Sequence, residues 1–198
     1  MTLPNHLVLF VRAPRVGSVK SRLAARPMWA FYRRTLAHTV RRFSADARWR
    51  CWIAVTPDTA LSAPRLWPRG CRRLAQGAGD LGRRMGRVMA ALPPGPAVII
   101  GADIPDARPR HAAAAFRALG SADAAFGPAR DGGYWLVGLK RRPVVLDVFT
   151  GVRFSTRHTL DDTLHTLPPG RTWVLIETLD DIDDGTDLER WKAIKTNP

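Results

Sequence analysis

Short apolar runs alternate with longer mixed segments along this chain of 198 residues. The runs are rich in branched and aromatic side chains, which predicts β-strands, whereas each longer segment has room for at least two helical turns. The predicted strands span residues 7–11, 51–55, 97–101, 124–127, 134–139 and 173–176. The predicted helices span residues 28–43, 81–92, 109–119, 156–164 and 187–195.

This alternation predicts an α/β fold in which a mixed, mostly parallel sheet is covered by helices on both faces. The runs at 124–127 and 134–139 are close enough in the sequence to pair antiparallel. Asp80 and Pro109 are typical helix-start residues and stand where two of the helices are expected to begin. The chain length and a hydrophobic content of 45% fit one domain, residues 1–198, with a sizeable core.

Cysteine content and hydropathy indicate the compartment. The chain has two cysteines, Cys51 and Cys71, which form neither a disulfide framework nor a paired metal-ligand spacing. The apolar run at 7–11 is far shorter than a membrane span. We therefore expect a cytoplasmic protein with no membrane partner.

The formal net charge of +14 raises the possibility of a nucleic-acid partner. The 31 basic residues are mostly arginines scattered in ones and twos, which favours a solvated basic surface or attraction of a small phosphorylated substrate. We therefore expect no nucleic-acid partner. Acidic residues, in contrast, cluster between Glu177 and Glu189, and this cluster needs a separate explanation.

The loop after the first predicted strand, residues 12–23, combines several basic side chains with proline and glycine. In open α/β sheets the loop after the first strand commonly holds a diphosphate, and a plain basic solvent loop is the alternative. The loop lacks the glycine-lysine pattern of a Walker loop and the glycine pattern of dinucleotide-binding proteins. Its candidate nucleotide-binding residues are Arg12, Pro14, Gly17, Lys20 and Arg22.

A second glycine-rich segment precedes the predicted helix at 81–92. Gly79 and Gly82 flank Asp80 and would let a ligand approach the backbone closely. Asp80 could equally be only the helix cap. All three are candidate nucleotide- or substrate-binding residues.

Two carboxylates are candidate metal ligands. Asp103 ends the apolar run Val98–Ala102, and Asp183 lies in the acidic cluster. Mg²⁺ and Mn²⁺ typically use one or two protein carboxylates together with water and substrate phosphates. The alternatives are a turn residue for Asp103 and helix-capping charge for Asp183.

The segment Asp131-Gly132-Gly133-Tyr134 joins an acidic glycine turn to a strand. A simple hairpin turn would use the same residues. The basic loop and Asp103 nevertheless make a substrate-binding turn the better hypothesis, with Asp131 as a catalytic candidate and the other three as binding residues.

In their order and spacing, five motifs resemble the bacterial family of candidate nucleotide-diphospho-sugar transferases catalogued as DUF2064. They are R-A-P-R-V-G-S-V-K-S-R-L at 12–23, G-D-L-G-R-R-M at 79–85, G-A-D-I-P-D at 101–106, G-P-A-R-D-G-G-Y-W-L-V-G-L at 127–139 and F-S-T at 154–156. The resemblance implies a Rossmann-like glycosyltransferase-A fold that binds a nucleotide diphosphate and a divalent metal, and kinship with nucleotidyltransferases that make cofactor nucleotides.

This chain departs from the family pattern at four positions. Arg83 replaces a commonly acidic residue, which reverses a charge near the expected substrate. The other three departures are Ile104 for cysteine, Trp135 for tyrosine and Phe154 for tryptophan.

The expected function is metal-dependent transfer of a sugar from a nucleoside-diphosphate sugar to a small acceptor. Lys20 and Arg22 would stabilise the departing diphosphate, and Asp131 would act as general base if the reaction inverts the anomeric carbon. Nucleotidyl transfer from a nucleoside triphosphate is the alternative. A non-enzymatic basic protein that binds nucleic acid is a third, less favoured hypothesis.

Overall fold

The computed structural model of the protein describes residues 3–13, 26–63, 66–67, 72–180 and 189. Its strands are β1 His6–Arg12, β2 Arg50–Thr56, β3 Arg72–Ala75, β4 Ala97–Gly101, β5 Ala124–Pro128, β6 Tyr134–Leu139 and β7 Trp173–Leu175. Its α-helices are α1 Arg26–Ser44, α2 Leu81–Ala91, α3 Pro109–Ala118 and α4 Thr159–His165. A short 3₁₀ helix covers Asp58–Ala60. All these strands form one sheet in the order β3-β2-β1-β4-β6-β5-β7.

Most strand pairs in this sheet are parallel. Strand β1 is parallel to β2 and β4, and β6 is antiparallel to both of its neighbours, β4 and β5. The predicted mixed, mostly parallel sheet is therefore confirmed. Because β6 runs opposite to β4, its first residue lies at the edge where β1 and β4 end. That edge thus collects the loops after β1, β3 and β4 and the turn before β6.

Alternate residues of the strands point to opposite faces of the sheet and are buried by different helices. Leu7, Leu9 and Val11 of β1 belong to the core cluster that includes residues of α1 and α3. Val8, on the opposite face, belongs to the cluster that includes α2, and residues of α4 pack against that cluster. Buried residues of α1, such as Leu36 and Val40, recur with helical spacing, which gives the helix one apolar face. The helices cover both faces, as predicted.

Two elements differ by more than two residues from the sequence expectations. Strand β3 was not predicted, because Arg72-Arg73-Leu74-Ala75 is too polar to resemble a strand and lies at the edge of the sheet. Helix α4 begins at Thr159, three residues later than expected. Of the helix predicted at 187–195, only Glu189 lies within the described residues.

Candidate active site

A cavity of about 630 Å³ opens at the edge of the sheet where β1 and β4 end. Its walls come from strand ends and from the loops that follow them, as expected for the ligand site of an open α/β sheet. Its charged and hydroxyl-bearing side chains include Arg12, Arg84, Asp103, Asp131, Ser155 and Arg157.

Arg12 ends β1 and lines one side of this cavity, where the sequence placed a nucleotide-binding residue. The Tyr32 hydroxyl of α1 donates to the Arg12 carbonyl oxygen at 2.7 Å and so fixes the backbone at the strand end. Burial, and secondarily the nearby Asp103 carboxylate, raises the pKa of Tyr32. Tyr32 therefore remains a neutral hydrogen-bond donor at physiological pH.

Arg84 lies on the same side of the cavity and is held by Gln76. The buried Gln76 amide donates to the carbonyl oxygens of Val11 and Ala54, at 3.0 and 2.9 Å, and so ties β1 to β2. The Gln76 side-chain oxygen Oε1 accepts a hydrogen bond from Arg84 Nη1 at 3.0 Å. Burial lowers the pKa of Arg84, and the positive charge of Arg12 adds to this effect. The two guanidinium groups are thus close enough to interact, which favours an anion between them.

Asp103 follows β4, which is the neighbour of β1 in the sheet, and lines the same cavity as Arg12. Its carboxylate lies over Gly101, where an added β-carbon would be 3.0 Å from Oδ1. The glycine therefore leaves room for the carboxylate at the strand end.

The acidic side chains that line the cavity are possible ligands for a divalent cation. Asp103 and Asp131 both line the cavity, but nowhere in the described part of the chain do three or more His, Cys, Asp or Glu side chains converge as a metal site. One or two carboxylates are what Mg²⁺ or Mn²⁺ needs when phosphates and water complete its coordination. The described residues therefore fit a cation that is held jointly with a nucleotide.

The Asp131 turn forms the opposite side of the cavity. Asp131 Oδ1 accepts a hydrogen bond from the Gly133 backbone N–H at 2.8 Å, so the carboxylate orders its own turn. Gly132 has a φ of +87° and packs directly on the backbone of Arg157. The Leu160 N–H donates to the Gly132 carbonyl oxygen at 3.0 Å. These contacts join the turn to the segment at 153–160.

Two aromatic residues after the turn support it from the sheet. The ring of Tyr134 packs edge-on against Phe126, and burial raises the pKa of Tyr134 to about 12. Trp135 is buried and its indole N–H donates to the Glu177 carbonyl oxygen at 3.1 Å. A β-carbon at Gly127 would lie 2.6 Å from the Trp135 ring, so this glycine makes space for the larger aromatic residue.

The segment at 79–82 is placed differently from the other predicted site residues. Asp80 Oδ1 accepts a hydrogen bond from the Arg83 N–H at 2.8 Å and caps α2. Asp80 and Gly82 line a neighbouring cleft, and Gly82 packs against Phe154, which borders both cavities. Gly79 has a φ of +110° and lies beside the Arg83 side chain. Their binding roles stay predictions.

Five predicted site residues lie outside the described part of the chain. They are Pro14, Gly17, Lys20, Arg22 and Asp183. Their roles also stay predictions.

Sequence reasoning did not select several residues that the fold brings into the cavity. Arg84 lies within the G-D-L-G-R-R-M motif, and Ser155 within F-S-T, so both motifs carried a signal. Gln76 is a polar residue directly after an apolar pair, which is a weaker signal. Tyr32 and Arg157 had no distinguishing pattern around them.

The fold and the cavity define the class of protein as an open α/β sheet with a polar site beyond the carboxyl ends of its strands. Residues 39–156 match the family model described as "Uncharacterized protein conserved in bacteria (DUF2064)". The chain belongs to this family. No curated protein matches the sequence significantly.

Solved structures share the fold along nearly the whole chain. A candidate nucleotide-diphospho-sugar transferase from Desulfovibrio desulfuricans G20 is 26% identical, with a TM-score of 0.84 over 98% of this chain and 88% of that one. This similarity classes the chain among enzymes with transferase activity.

Two more distant structures show the fold alone. One is the synthetase of CMP-2-keto-3-deoxy-manno-octonic acid in complex with CTP, at 13% identity and a TM-score of 0.62, covering 98% of this chain and 99% of that one. The other is glucosyl-3-phosphoglycerate synthase from Mycobacterium tuberculosis, in complex with Mn²⁺, UDP and glucosyl-3-phosphoglycerate. It has 13% identity and a TM-score of 0.54, covering 98% of this chain and 76% of that one.

Within the described residues, no helix has the length and apolar character needed to cross a membrane.

Proposed function

We propose that this protein is a metal-dependent glycosyltransferase that moves a sugar from a nucleoside-diphosphate sugar to a small acceptor. The observation that carries the proposal is the arrangement of charge in one cavity. Arg12 and Arg84 lie on one side, Asp103 at the end of the central strand β4, and the Asp131 turn on the other side. The arginines can bind phosphates, Asp103 can bind a cation, and Asp131 can accept a proton from a reacting hydroxyl.

The diphosphate is expected between Arg12 and Arg84. Two arginines near each other in a partly desolvated site repel, and an anion between them removes that repulsion. Because Gln76 fixes Arg84 in place, the guanidinium is oriented before the ligand arrives. As the glycosidic bond breaks, the departing diphosphate gains charge, and these fixed cations stabilise it.

Asp103 is the residue proposed to hold Mg²⁺ or Mn²⁺, with Asp183 as the predicted second ligand. A divalent cation in this position would neutralise charge on the diphosphate. Since Asp103 and Asp131 are the acidic residues that line the cavity in the described part of the chain, we expect weak metal binding without nucleotide. The Mn²⁺ and UDP complex of glucosyl-3-phosphoglycerate synthase supports this pairing of metal and nucleotide.

Asp131 is proposed to accept the proton of the acceptor hydroxyl in an inverting transfer. Its Oδ1 is fixed by the Gly133 N–H, and the residue is exposed on the cavity wall, so a ligand can reach the carboxylate. A carboxylate that is oriented by its own turn meets the geometric requirement for a general base.

Nucleotidyl transfer is the second candidate, favoured by the full-length similarity to a synthetase that binds CTP. In that reaction the acceptor attacks the α-phosphorus of a nucleoside triphosphate and pyrophosphate leaves. The same arginines would then bind pyrophosphate. Product analysis separates the two, because glycosyl transfer releases a nucleoside diphosphate.

Thermal unfolding with nucleoside-diphosphate sugars and nucleoside triphosphates, with and without Mn²⁺, tests the proposal. We expect a metal-dependent rise in Tm with a diphosphate sugar, and its loss in Asp103→Asn. Asp106→Asn is the matched control, because Asp106 lies in the same loop but does not line the cavity. If no nucleotide stabilises the native protein while another ligand class does, the proposal is wrong.

A further inference from the structure

The rim of the cavity contains a serine in an unusual backbone conformation. Ser155 has a φ of +61°, a region that residues with a side chain rarely adopt. The residue is exposed and lines the cavity. Such strain persists only where the surrounding structure imposes it, and it is concentrated at functional sites.

The neighbours of Ser155 impose this conformation. Arg153 forms a two-pronged ion pair with Asp162, with Nε–Oδ2 at 2.8 Å and Nη2–Oδ1 at 2.7 Å. The Arg153 carbonyl oxygen accepts hydrogen bonds from the hydroxyls of Thr156 and Thr159, at 2.8 and 3.0 Å. Backbone on both sides of Ser155 is therefore fixed, and its side chain is held towards the cavity wall.

Ser155 and Arg157 share this rim with the candidate base. Gly132 packs on the backbone of Arg157, so the Asp131 turn and the segment at 155–157 form one surface. Strands β1, β4 and β6 are consecutive in the sheet, and neighbouring strands are about 5 Å apart. Arg12 ends β1 and Asp131 lies just before β6, so two spacings, about 10 Å, separate them across the strands. Across the strands, the Asp131 turn and the backbone of Arg157 therefore lie on the side of Asp103 away from Arg12, while Phe154, next to Ser155, contacts Gly82 of α2.

The arginines near the rim differ in their partners. Arg130 pairs with Asp180 at 2.9 Å, and Arg153 pairs with Asp162. Arg157 has no carboxylate partner among the described residues, and its Nε donates to His158 Nε2 at 3.4 Å. Of these three, Arg157 is also the one that lines the cavity. A guanidinium placed in this way favours a ligand with a pair of anionic oxygens.

We infer that Ser155 and Arg157 form the acceptor subsite, and that the acceptor carries a phosphate or carboxylate group near the hydroxyl that receives the sugar. This inference rests on the proposed glycosyl transfer. The acceptor oxygen bonds to the anomeric carbon, and its proton passes to Asp131. The bond from that carbon to the diphosphate oxygen breaks, and the nucleoside diphosphate leaves with the bonding electron pair.

A matched series of small acceptors tests the inference: glycerol, glycerol 3-phosphate and glycerate. Sugar transfer and Tm shifts are measured with each, in the presence of Mn²⁺ and a diphosphate sugar that binds the native protein. The variants are Arg157→Gln and Ser155→Ala, with Arg130→Gln as the control that removes a nearby charge outside the cavity. Donor binding is measured separately for every variant.

We expect the native protein to prefer an anionic acceptor over glycerol by at least about tenfold in binding or kcat/KM, as one charge-assisted contact would give. Arg157→Gln should remove this preference with the donor affinity unchanged, Ser155→Ala should lower turnover of the preferred acceptor, and Arg130→Gln should do neither. The phosphate and carboxylate members reveal which anion is recognised. A native protein that binds the donor but neither binds nor uses the anionic acceptors overturns the inference, as does an unchanged preference in Arg157→Gln. Failure of the donor to bind instead refutes the proposed function.

Discussion

Replacing Gly132 by alanine should separate the Asp131 turn from the segment that it packs on. A β-carbon at this position would lie within 2.6 Å of the Arg157 carbonyl carbon and Cα, and closer still to its carbonyl oxygen. These are backbone atoms, so no side-chain rotation relieves the clash. The residue also has a φ of +87°, which alanine adopts only with strain.

The expected loss of stability has two parts. The positive φ costs about 1 kcal/mol in an alanine residue. Moving the turn away also breaks the bond from the Leu160 N–H to the Gly132 carbonyl oxygen, which contributes about 1 kcal/mol, and loosens packing around it. We therefore expect Gly132→Ala to lower the free energy of unfolding by about 2–3 kcal/mol in total.

Gly170→Ala isolates the first part, because Gly170 has a φ of +81° with no atom within 4 Å of an added β-carbon. It should cost about 1 kcal/mol. Urea denaturation of both variants gives the difference, in which the effect of a glycine-to-alanine change on the entropy of the unfolded chain cancels because it is common to both. Gly132→Ala should also lose transferase activity while Gly170→Ala keeps it. Equal losses of stability in the two variants would refute the proposed contact between the turn and the 155–157 segment.

Arg84→Gln should weaken binding of nucleoside diphosphates by about tenfold or more. The adjacent Arg83→Gln should not, because the Arg83 side chain is 79% exposed. Titration calorimetry measures both affinities, and equal effects would contradict the role of Arg84. Ser155→Gly should raise the free energy of unfolding by about 0.5–1 kcal/mol, because relief of the positive φ outweighs the added entropy of the unfolded chain. The same change should lower the rate of sugar transfer. A loss of stability in urea denaturation would show that the serine is not strained. Burial lowers the pKa of both His6 and His111 below 6.5, so the unfolded chain takes up these protons first on acidification. The free energy of unfolding should therefore be highest above pH 6.5 and fall below it, by up to about 1.4 kcal/mol per pH unit for each histidine. Replacing both histidines with glutamine should make the free energy of unfolding, measured in urea, nearly independent of pH between about 7.5 and 5.5.

Central strands could be predicted closely because burial on both faces leaves a continuous apolar run in the sequence. Strands β4 and β6 have the predicted bounds, 97–101 and 134–139. Strand β3 escaped prediction because two of its four residues are arginines and its hydrogen bonds come from β2, far away in the sequence. Nothing local to Arg72–Ala75 reveals that partner.

The candidate site was predictable where glycine and aspartate follow a strand, as Asp103 and Asp131 do. It was not predictable where the residue that enters the cavity is determined by the direction in which a helix face points. Arg83 and Arg84 are consecutive, so their side chains point about 100° apart around α2. Only the packing of α2 on the sheet, together with the hydrogen bond that Arg84 donates to Gln76, determines that Arg84 enters the cavity.

The late start of α4 shows the same limit at the part of the cavity lined by Ser155 and Arg157. The helical pattern favours a start at Thr156, but the hydroxyls of Thr156 and Thr159 instead bond the Arg153 carbonyl oxygen, and Ser155 takes a positive φ. Such local bonds compete with a helix, and here the ion pair between Arg153 and Asp162 supports them from within α4 itself. The prediction therefore failed where a helical turn is replaced by the backbone that presents Ser155 and Arg157 to the cavity, which is the kind of local exception expected at a binding site.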